Sequence, residues 1–198
     1  MLSCLKNRFF DSPYTFKIIR SLLELGNTAE LRLLRRHIRP SEKVLDIGCG
    51  TGDFSVVSES YHGIDMNGRF VAYATKRYPK DFRVMDATHL AFRNKAFDTT
   101  LLLSMLHHFP ENTLREILKE SARVSHRLIV VDLVGKNNPI SRLLYALDRG
   151  DHIRSFKEQK RIVSSFFFIE KALIFDASPL YRHSFIVARP KKTIMRRR

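Results

Sequence analysis

Apolar and polar residues alternate along this chain with two different periods. Near the N-terminus the apolar positions lie three or four residues apart, which predicts helices. They form three groups: Leu2, Leu5 and Phe9; Phe16, Ile19, Leu22 and Leu23; and Leu31, Leu34 and Ile38. Asn27 with Glu30 resembles a capping box for the third helix, and Arg39-Pro40 ends it. Residues 1–40 are therefore predicted to form an N-terminal helical cap.

From residue 41 onward, strand-length apolar runs alternate with helical stripes. The predicted strands are Lys43–Ile47, Tyr61–Asp65, Phe82–Asp86, Phe97–Ser104, Arg127–Leu133, Phe167–Phe175 and His183–Ala188. The predicted helices are a short one near Asp53–Val57, Asn67–Tyr78, Glu111–Val124 and a looser region at Ile140–Ser165. This alternation predicts an α/β domain over residues 41–198, with a parallel, doubly wound sheet. Such a sheet binds its ligand at the carboxyl ends of the strands.

Length and composition indicate one domain in a reducing compartment. The 198 residues are 44% hydrophobic, which suffices for one core. Two cysteines, Cys4 and Cys49, do not make a disulfide framework, so we expect a cytoplasmic protein. Met1–Ser3 is too short for a signal peptide before Cys4. The longest apolar runs, Leu101–Leu103 and Leu128–Val131, have the length of strands, and no segment is predicted to span a bilayer.

The net charge of +15 is confined to the two flanks of the chain. Residues 1–40 hold 8 Lys and Arg against 3 Asp and Glu, whereas residues 41–135 hold 12 of each. Residues 136–198 hold 15 against 5, and they include a basic C-terminal tail at Arg189–Arg198. A solvated surface would spread this charge more evenly. The distribution favours attraction to an anionic partner, such as a lipid head group, a nucleic acid or a phosphorylated substrate.

The segment Val44–Gly52 is the strongest candidate for a ligand site. A buried strand that contains Asp46 turns through Gly48, Gly50 and Gly52, and glycine allows both the tight turn and close approach of a ligand. A dinucleotide site is the competing interpretation. The G-x-G-x-G spacing has Asp53 where the dinucleotide fingerprint has its third glycine, and carboxylates at the turn would oppose a pyrophosphate. A cofactor with positive charge and no phosphate suits this turn better.

Several motifs together resemble the class I S-adenosylmethionine (SAM) dependent methyltransferases. They are the segment Asp46–Gly52, Asp65 at the end of the second strand, the run Met85–Phe92, and Phe97-Asp98 before a strand that leads into Met105-Leu106-His107-His108. The resemblance covers about Glu42–Leu133 well and the closing strands more loosely. It is closest to the branch with the ubiquinone/menaquinone C-methyltransferases and many small-molecule methyltransferases. It implies a Rossmann-like, mostly parallel seven-stranded sheet with an antiparallel last strand, and SAM as cofactor.

The resemblance also implies roles for individual residues. Asp46, Gly48 and Gly50 would surround the methionine part of SAM, with Cys49 and Gly52 completing the turn. Asp65 would bind the ribose, Met66 would flank the adenine, Asp86 with Ala87 would read the adenine edge, and Ser104 would lie beside the methyl donor. Two alternatives stay open: Cys49 serves packing rather than chemistry, and Asp86 merely caps the following turn.

Three histidines are candidates for catalysis. His107 and His108 follow the fourth strand, and either is a possible general base if the acceptor is a hydroxyl. Alternatively, one packs on the cofactor and the other faces solvent. His152 is the next candidate, either lining the acceptor pocket or lying in a surface loop. No metal site is predicted.

The sequence constrains the acceptor only weakly. Ser104-Met105-Leu106-His107 differs from the Asn/Asp-Pro-Pro-aromatic element of enzymes that methylate exocyclic amines of nucleobases, which weakens that interpretation. Our leading hypothesis is a small-molecule or lipid-like acceptor, with the basic flanks against the inner face of an anionic membrane or around a phosphorylated substrate. The alternatives are an RNA methyltransferase whose flanks bind the phosphate backbone, and a non-catalytic SAM-fold binding module.

Overall fold

A computed structural model describes residues 12–14, 28–134, 152–178 and 182–192. The helices are α1 (Thr28–Arg35), α2 (Gly68–Arg77), α3 (Glu111–Val124) and α4 (Phe156–Val163). The strands are β1 (Lys43–Ile47), β2 (Ser60–Asp65), β3 (Asp81–Val84), β4 (Phe97–Leu103), β5 (Ser125–Leu133), β6 (Phe167–Asp176) and β7 (Arg182–Pro190). Asp53–Val57 and Leu106–His108 form short 3-10 helices. The predicted apolar groups between Leu2 and Leu23 and the terminal Arg196–Arg198 lie outside the described residues.

The seven strands form one sheet in the order β3-β2-β1-β4-β5-β7-β6. The pairings of β1 with β2 and β4, of β2 with β3, and of β4 with β5 are parallel. Strand β7 runs antiparallel to both of its neighbours, β5 and β6. The prediction of a mostly parallel seven-stranded α/β sheet with an antiparallel last strand is therefore confirmed. Because β1 to β5 are parallel, their carboxyl ends meet at one edge.

Helices cover both faces of the sheet. On one face α3 and α4 pack Leu114, Ile117 and Ile162 against the strands. On the other face α1, α2 and the first 3-10 helix pack Leu34, Ala74 and Phe54. The strands are apolar on both sides, as expected for a parallel sheet buried between two helical layers.

Helix α1 ends earlier than predicted. It ends at Arg35, so Ile38 lies beyond the helix, although Ile38 remains buried in the same core cluster. Glu30 is 1% exposed, and its Oε1 lies 2.9 Å from Nδ1 of His183 on β7. Asn27 lies outside the described residues, so the predicted capping box stays a prediction. Since Leu34 shares a core with the sheet, α1 packs as part of the main layer, and a separate cap over residues 1–40 stays a prediction.

Several other predicted boundaries change in the structure, most of them by one or two residues. Strand β3 ends at Val84 rather than Asp86, β4 at Leu103 rather than Ser104, and β5 begins at Ser125 rather than Arg127. Of the looser region predicted at Ile140–Ser165, the helix among the described residues is α4 alone. It begins after Ser155, whose side chain forms a capping box with Glu158. None of the helices in the described parts of the chain is long and apolar enough to cross a bilayer.

Candidate cofactor-binding site

The turn after β1 depends on three glycines with positive φ. Gly48, Gly50 and Gly52 have φ angles of 75°, 51° and 75°, a backbone conformation in which a residue with a side chain would be strained. The N–H groups of Gly48 and Cys49 both donate to the carbonyl of Ile64 on β2, at 2.8 and 2.9 Å. A Cβ on Gly52 would lie 2.8 Å from Cζ of Phe82, whereas a Cβ on Gly50 would meet nothing within 4 Å. Gly52 is thus needed for packing, and Gly50 borders open space.

Asp65 links the glycine turn to the end of β2 through hydrogen bonds. One carboxylate oxygen accepts the N–H of Gly50 at 2.9 Å, and the other accepts the N–H of Asn67 at 2.8 Å. Burial raises the pKa of Asp65, and these two hydrogen bonds oppose the rise. Each oxygen keeps a second lone pair. The carboxylate is therefore held in place by the backbone and retains the capacity to accept two hydroxyl groups, as the ribose role requires.

Two apolar side chains beside Asp65 are unusually exposed. Met66 follows Asp65 directly and is 67% exposed, and Val84, the register partner of Asp65 on β3, is 58% exposed. Together these two side chains offer an apolar surface to a ligand group at this edge. The predicted role of Met66 beside the adenine is compatible with this geometry, and Val84 is a second candidate.

Asp86 lies in a turn after β3 rather than at the end of the strand. Its Oδ1 accepts both the N–H and the hydroxyl of Thr88, each at 2.8 Å, and these bonds lower the pKa of Asp86. The turn-capping alternative is therefore observed. Oδ2 lies 3.9 Å from Nδ1 of His89, and the side chain is 54% exposed, so a further contact with adenine remains compatible. Ala87 is buried in the core, which leaves its backbone for that role.

Asp46 and Cys49 are both buried, and for Cys49 this is the packing role that the sequence analysis kept open. Asp46 is 1% exposed, and its carboxylate accepts the hydroxyl of Tyr61. Cys49 is 7% exposed, and its Sγ is only 2.8 Å from where a Cβ on Gly63 would lie. Burial raises the pKa of the Cys49 thiol strongly. The Cys49 side chain therefore packs, so only its backbone can meet a cofactor, and direct contact of Asp46 with a cofactor stays a prediction.

The segment after β4 reaches the glycine turn. Ser104 has a positive φ of 51°, uncommon for a residue with a side chain, and its N–H donates to the carbonyl of Val131 at 2.7 Å. Next to it, Sδ of Met105 lies 3.1 Å from the position of a Cβ on Gly48. The ends of β1 and β4 are thus in contact, and Ser104 lies at the edge where the methyl donor is predicted.

His107 is held by a buried aspartate that the sequence analysis did not single out. Its Nδ1 lies 2.6 Å from Oδ1 of Asp132 at the carboxyl end of β5. Asp132 is 0% exposed and also accepts the N–H groups of Leu106 and Leu133. Burial alone would raise the pKa of Asp132, but the charge of His107 and these hydrogen bonds lower it. Asp132 is therefore ionised at neutral pH and orients the His107 ring.

The structure brings the other two candidate histidines to the same place. The ring centroids of His107 and His108 lie 4.1 Å apart, and His108 is exposed. The N–H of His152 donates to the carbonyl of His107 at 3.0 Å. Arg154 fastens the contact, because its guanidinium donates to the carbonyls of Leu106 and Phe109 at 2.7 and 2.8 Å. The three histidines therefore cluster at the carboxyl edge of the sheet, and a catalytic role for any of them stays a prediction.

These residues fit SAM. The Gly50 backbone borders open space, Asp65 has acceptor capacity for ribose hydroxyls, and Met66 with Val84 offers an apolar surface for adenine. The carboxylates at the turn suit the sulfonium and ammonium charges of SAM and would oppose a pyrophosphate. In the described parts of the chain, no cluster of His, Cys, Asp and Glu has a geometry that could hold a metal ion.

Sequence reasoning missed Tyr61, Val84, Asp132 and Arg154. Of these four residues, only Asp132 could have been identified from the sequence, since an acidic residue within the apolar run Leu128–Leu133 needs a buried partner. The partners of Tyr61 and Arg154 depend on contacts 15 and 48 residues apart, which local patterns do not reveal.

Comparison with known proteins agrees with this geometry. Residues 45–127 match the family model described as a methyltransferase domain. A probable tRNA methyltransferase 9B of Mus musculus is 37% identical over 89 residues, a match that covers 43% of this chain and 20% of the relative. The chain thus spans about a fifth of that relative's length.

Solved methyltransferase structures share the fold over most of the chain. Magnesium protoporphyrin IX methyltransferase from Synechocystis, with bound S-adenosylhomocysteine (SAH), has a TM-score of 0.70 at 16% identity and covers 96% of this chain and 100% of its own. Geranyl diphosphate C-methyltransferase from Streptomyces coelicolor, in complex with Mg²⁺, geranyl diphosphate and SAH, has a TM-score of 0.67 at 15% identity and covers 83% and 80%. The predicted resemblance to the class I SAM-dependent methyltransferases, with SAM as cofactor, is confirmed: residues 45–127 match a methyltransferase domain, and the fold is the one that these solved methyltransferases share.

Proposed function

We propose that this protein transfers the methyl group of SAM to a small-molecule or lipid-like acceptor. The observation that carries the proposal is the shared edge of the sheet. The glycine turn, Asp65 and the exposed Met66 lie at the carboxyl ends of β1 and β2, and the His107–Asp132 pair lies at the carboxyl ends of β4 and β5. A donor site and a group able to handle a proton thus flank one region.

The chain's own residues mainly align the reactants. SAM supplies a methyl group on a positively charged sulfur. Asp65 and the glycine turn orient the donor, and the segment Ser104–Met105, in contact with Gly48, forms the wall between donor and acceptor. Alignment and exclusion of water account for most of the rate enhancement in such a displacement.

His107 is the base that this proposal assigns for a hydroxyl acceptor. The ionised Asp132 keeps a proton on Nδ1 of His107 in both charge states, so uptake of the acceptor's proton falls to Nε2. This arrangement follows the general logic in which a carboxylate orients a histidine base. His108 and His152 lie beside it and are the alternatives if His107 proves to be structural.

The names of two structural relatives support a small-molecule acceptor, and the name of one sequence relative supports an RNA acceptor. The two solved relatives are named for magnesium protoporphyrin IX and geranyl diphosphate, which are small molecules. The mouse relative is named a probable tRNA methyltransferase, which favours RNA as the second candidate. The basic flanks suit either partner through phosphate groups. With a lipid-like acceptor, we expect a cytoplasmic protein whose flanks rest on the inner face of an anionic membrane.

The proposal is tested by incubating the protein and methyl-labelled SAM with a cell lysate that has been separated into lipid, small-molecule, RNA and protein fractions. We expect label in the lipid or small-molecule fraction. At a SAM concentration well below saturation, transfer should fall by roughly 10- to 150-fold in Asp65→Ala. The matched control Asp81→Ala should keep it, since Asp81 is at the opposite end of the sheet and pairs with Arg83. Label in RNA would establish the second candidate. SAM binding without transfer to any fraction would indicate a non-catalytic binding module.

A further inference from the structure

The second 3-10 helix, Leu106–His108, is too short to hold its own geometry. It consists of three residues, and the N–H of Phe109 reaches the carbonyl of Leu106 only at 3.5 Å, a long hydrogen bond. The last carbonyls of a helix have no partner within it. The position of this helix, and of the two histidines that it carries, therefore depends on donors from other parts of the chain.

These donors come from the residues that precede α4. The guanidinium of Arg154 donates to the carbonyls of Leu106 and Phe109 at 2.7 and 2.8 Å. Between them, the carbonyl of His107 accepts the N–H of His152 at 3.0 Å. Arginine side chains commonly bind the last carbonyls of a helix in this way. Arg154 thus holds the carbonyl side of the second 3-10 helix at both of its ends.

Asp132 holds the opposite side of the same helix. Its carboxylate accepts the N–H of Leu106 and lies 2.6 Å from Nδ1 of His107. The carboxylate therefore orients the ring of His107, and Arg154 holds the backbone to which the ring is attached. A shift of that backbone would move the ring away from Asp132, so one ring position depends on both contacts.

Arg154 is itself held in place by a buried amide on α4. Gln159 is 1% exposed, and its Nε2 donates to the carbonyls of Leu133 and Arg154 at 2.6 and 3.2 Å. Its Oε1 accepts the hydroxyl of Ser184 on β7 at 2.5 Å. Leu133 directly follows Asp132 on β5. The end of one strand therefore positions both groups that hold the histidine helix, Asp132 directly and Arg154 through Gln159.

Attachment of α4 to the domain does not account for the placement of Arg154. Arg161 of α4 donates to both carboxylate oxygens of Glu111 on α3, at 2.9 and 2.5 Å, and Ile162 and Val163 pack in the core. Arg154 is partly buried, and burial lowers its pKa. Burying a cation costs free energy. This cost is spent on the backbone around His107 rather than on an ion pair between helices.

We propose that Arg154 is a positioning residue for methyl transfer, which holds the second 3-10 helix so that Nε2 of His107 points to the acceptor. This rests on the proposed function, in which His107 takes the proton of a hydroxyl acceptor. A displacement of about 1 Å at a reacting group can lower turnover by roughly 100-fold. Loss of Arg154 should therefore lower turnover without weakening the cofactor, which binds at the ends of β1 and β2.

The test compares Arg154→Ala with the matched control Arg161→Ala in the full chain, after urea unfolding has shown that both variants fold. Three quantities are measured. The first is the initial rate of methyl transfer at saturating SAM, with the lysate fraction that accepts label from the wild type. The second is SAM affinity, by calorimetry. The third is the rate at which the Nδ1–H of His107 exchanges with water, by NMR. Arg154→Lys, which keeps the charge, replaces Arg154→Ala if that variant does not fold.

We expect Arg154→Ala to lower the transfer rate by roughly 10- to 100-fold, with SAM affinity within threefold of the wild type. Exchange of the His107 Nδ1–H should become at least tenfold faster, because the helix opens locally when its carbonyls lose their donor. Arg161→Ala should keep the transfer rate and the exchange rate within threefold. Arg154→Lys should lie between Arg154→Ala and the wild type in both quantities.

Two results would overturn the proposal: full transfer by Arg154→Ala, or equal losses in Arg154→Ala and Arg161→Ala. A lost transfer rate with unchanged exchange would also overturn it, because Arg154 would then act on the acceptor and not through His107. If the wild type transfers no methyl group to any fraction, the proposed function fails. The exchange rate then still decides whether Arg154 positions His107, and an unchanged rate in Arg154→Ala would exclude it.

Discussion

Replacing Asp65 with Ala tests how the end of β2 serves the cofactor. In the protein this carboxylate accepts two backbone N–H groups, from Gly50 and Asn67. The variant removes these bonds together with the acceptor for the ribose hydroxyls. We therefore expect two separate effects, one on the stability of the fold and a larger one on SAM affinity.

The expected loss of stability is smaller than the expected loss of SAM affinity, because burying the Asp65 carboxylate costs free energy in the folded protein. Each hydrogen bond to a charged group contributes about 1.5–3 kcal/mol, so loss of the ribose contact weakens SAM binding by about 1.5–3 kcal/mol, or roughly 10- to 150-fold. Stability should change less, by about 1 kcal/mol, because removing the carboxylate also relieves the desolvation that raises its pKa.

Calorimetric titration with SAM and urea unfolding measure these effects in parallel. Asp81→Ala is the control, since it removes a carboxylate at the opposite end of the sheet and should leave SAM affinity unchanged. SAM affinity within threefold of the wild type in Asp65→Ala would refute the placement of the ribose. The pH dependence adds a check: SAM needs the ionised carboxylate, so its affinity should fall as the pH falls through the raised pKa of Asp65, at a higher pH than for an ordinary aspartate.

Three further predictions concern the turn and the histidines. Gly50→Ala should weaken SAM binding about tenfold, with a stability loss of about 1–2 kcal/mol from its positive φ. Gly52→Ala should lower stability more, because its Cβ meets Phe82. Urea unfolding and SAM titration of both variants distinguish them, and equal behaviour would contradict the different roles of Gly50 and Gly52. His107→Ala should lower turnover roughly 100-fold with SAM affinity unchanged if His107 is the base, measured with the acceptor fraction; full turnover in both His107→Ala and His108→Ala would move the role to His152 or to no base. Asp132→Asn should shift the His107 proton from Nδ1 towards Nε2, because the carboxylate selects the tautomer; ¹⁵N-resolved NMR of the histidines reads this directly, and an unchanged tautomer would show that Asp132 does not orient the ring.

The succession of strands and helices along the chain and the cofactor turn were predictable from local pattern, whereas the antiparallel last strand was implied by the family resemblance. The segment Val44–Gly52 carries its own signal, since glycines with an apolar strand before them leave few alternatives. The bounds of β1 and α3 match the prediction residue by residue. Ends of strands are less predictable: β3 stops at Val84 because pairing with β2 is complete there and the Asp86 turn begins.

The catalytic side of the site was less predictable, because its contacts are long-range. The sequence shows two adjacent histidines but not which one is buried. That choice depends on Asp132, 25 residues later, whose position follows from the pairing of β4 with β5. The burial of Asp46 was also hidden, because its partner, the hydroxyl of Tyr61, lies on the neighbouring strand β2.

Titration of the wild-type protein with SAM, SAH and NAD is the most direct test of the central claim. The Asp65 carboxylate and the open backbone at Gly50 are arranged for a cofactor without phosphate. We predict saturable binding of SAM and SAH at one site per chain, with no binding of NAD at the same concentrations. Binding of NAD in the absence of SAM binding would contradict the account.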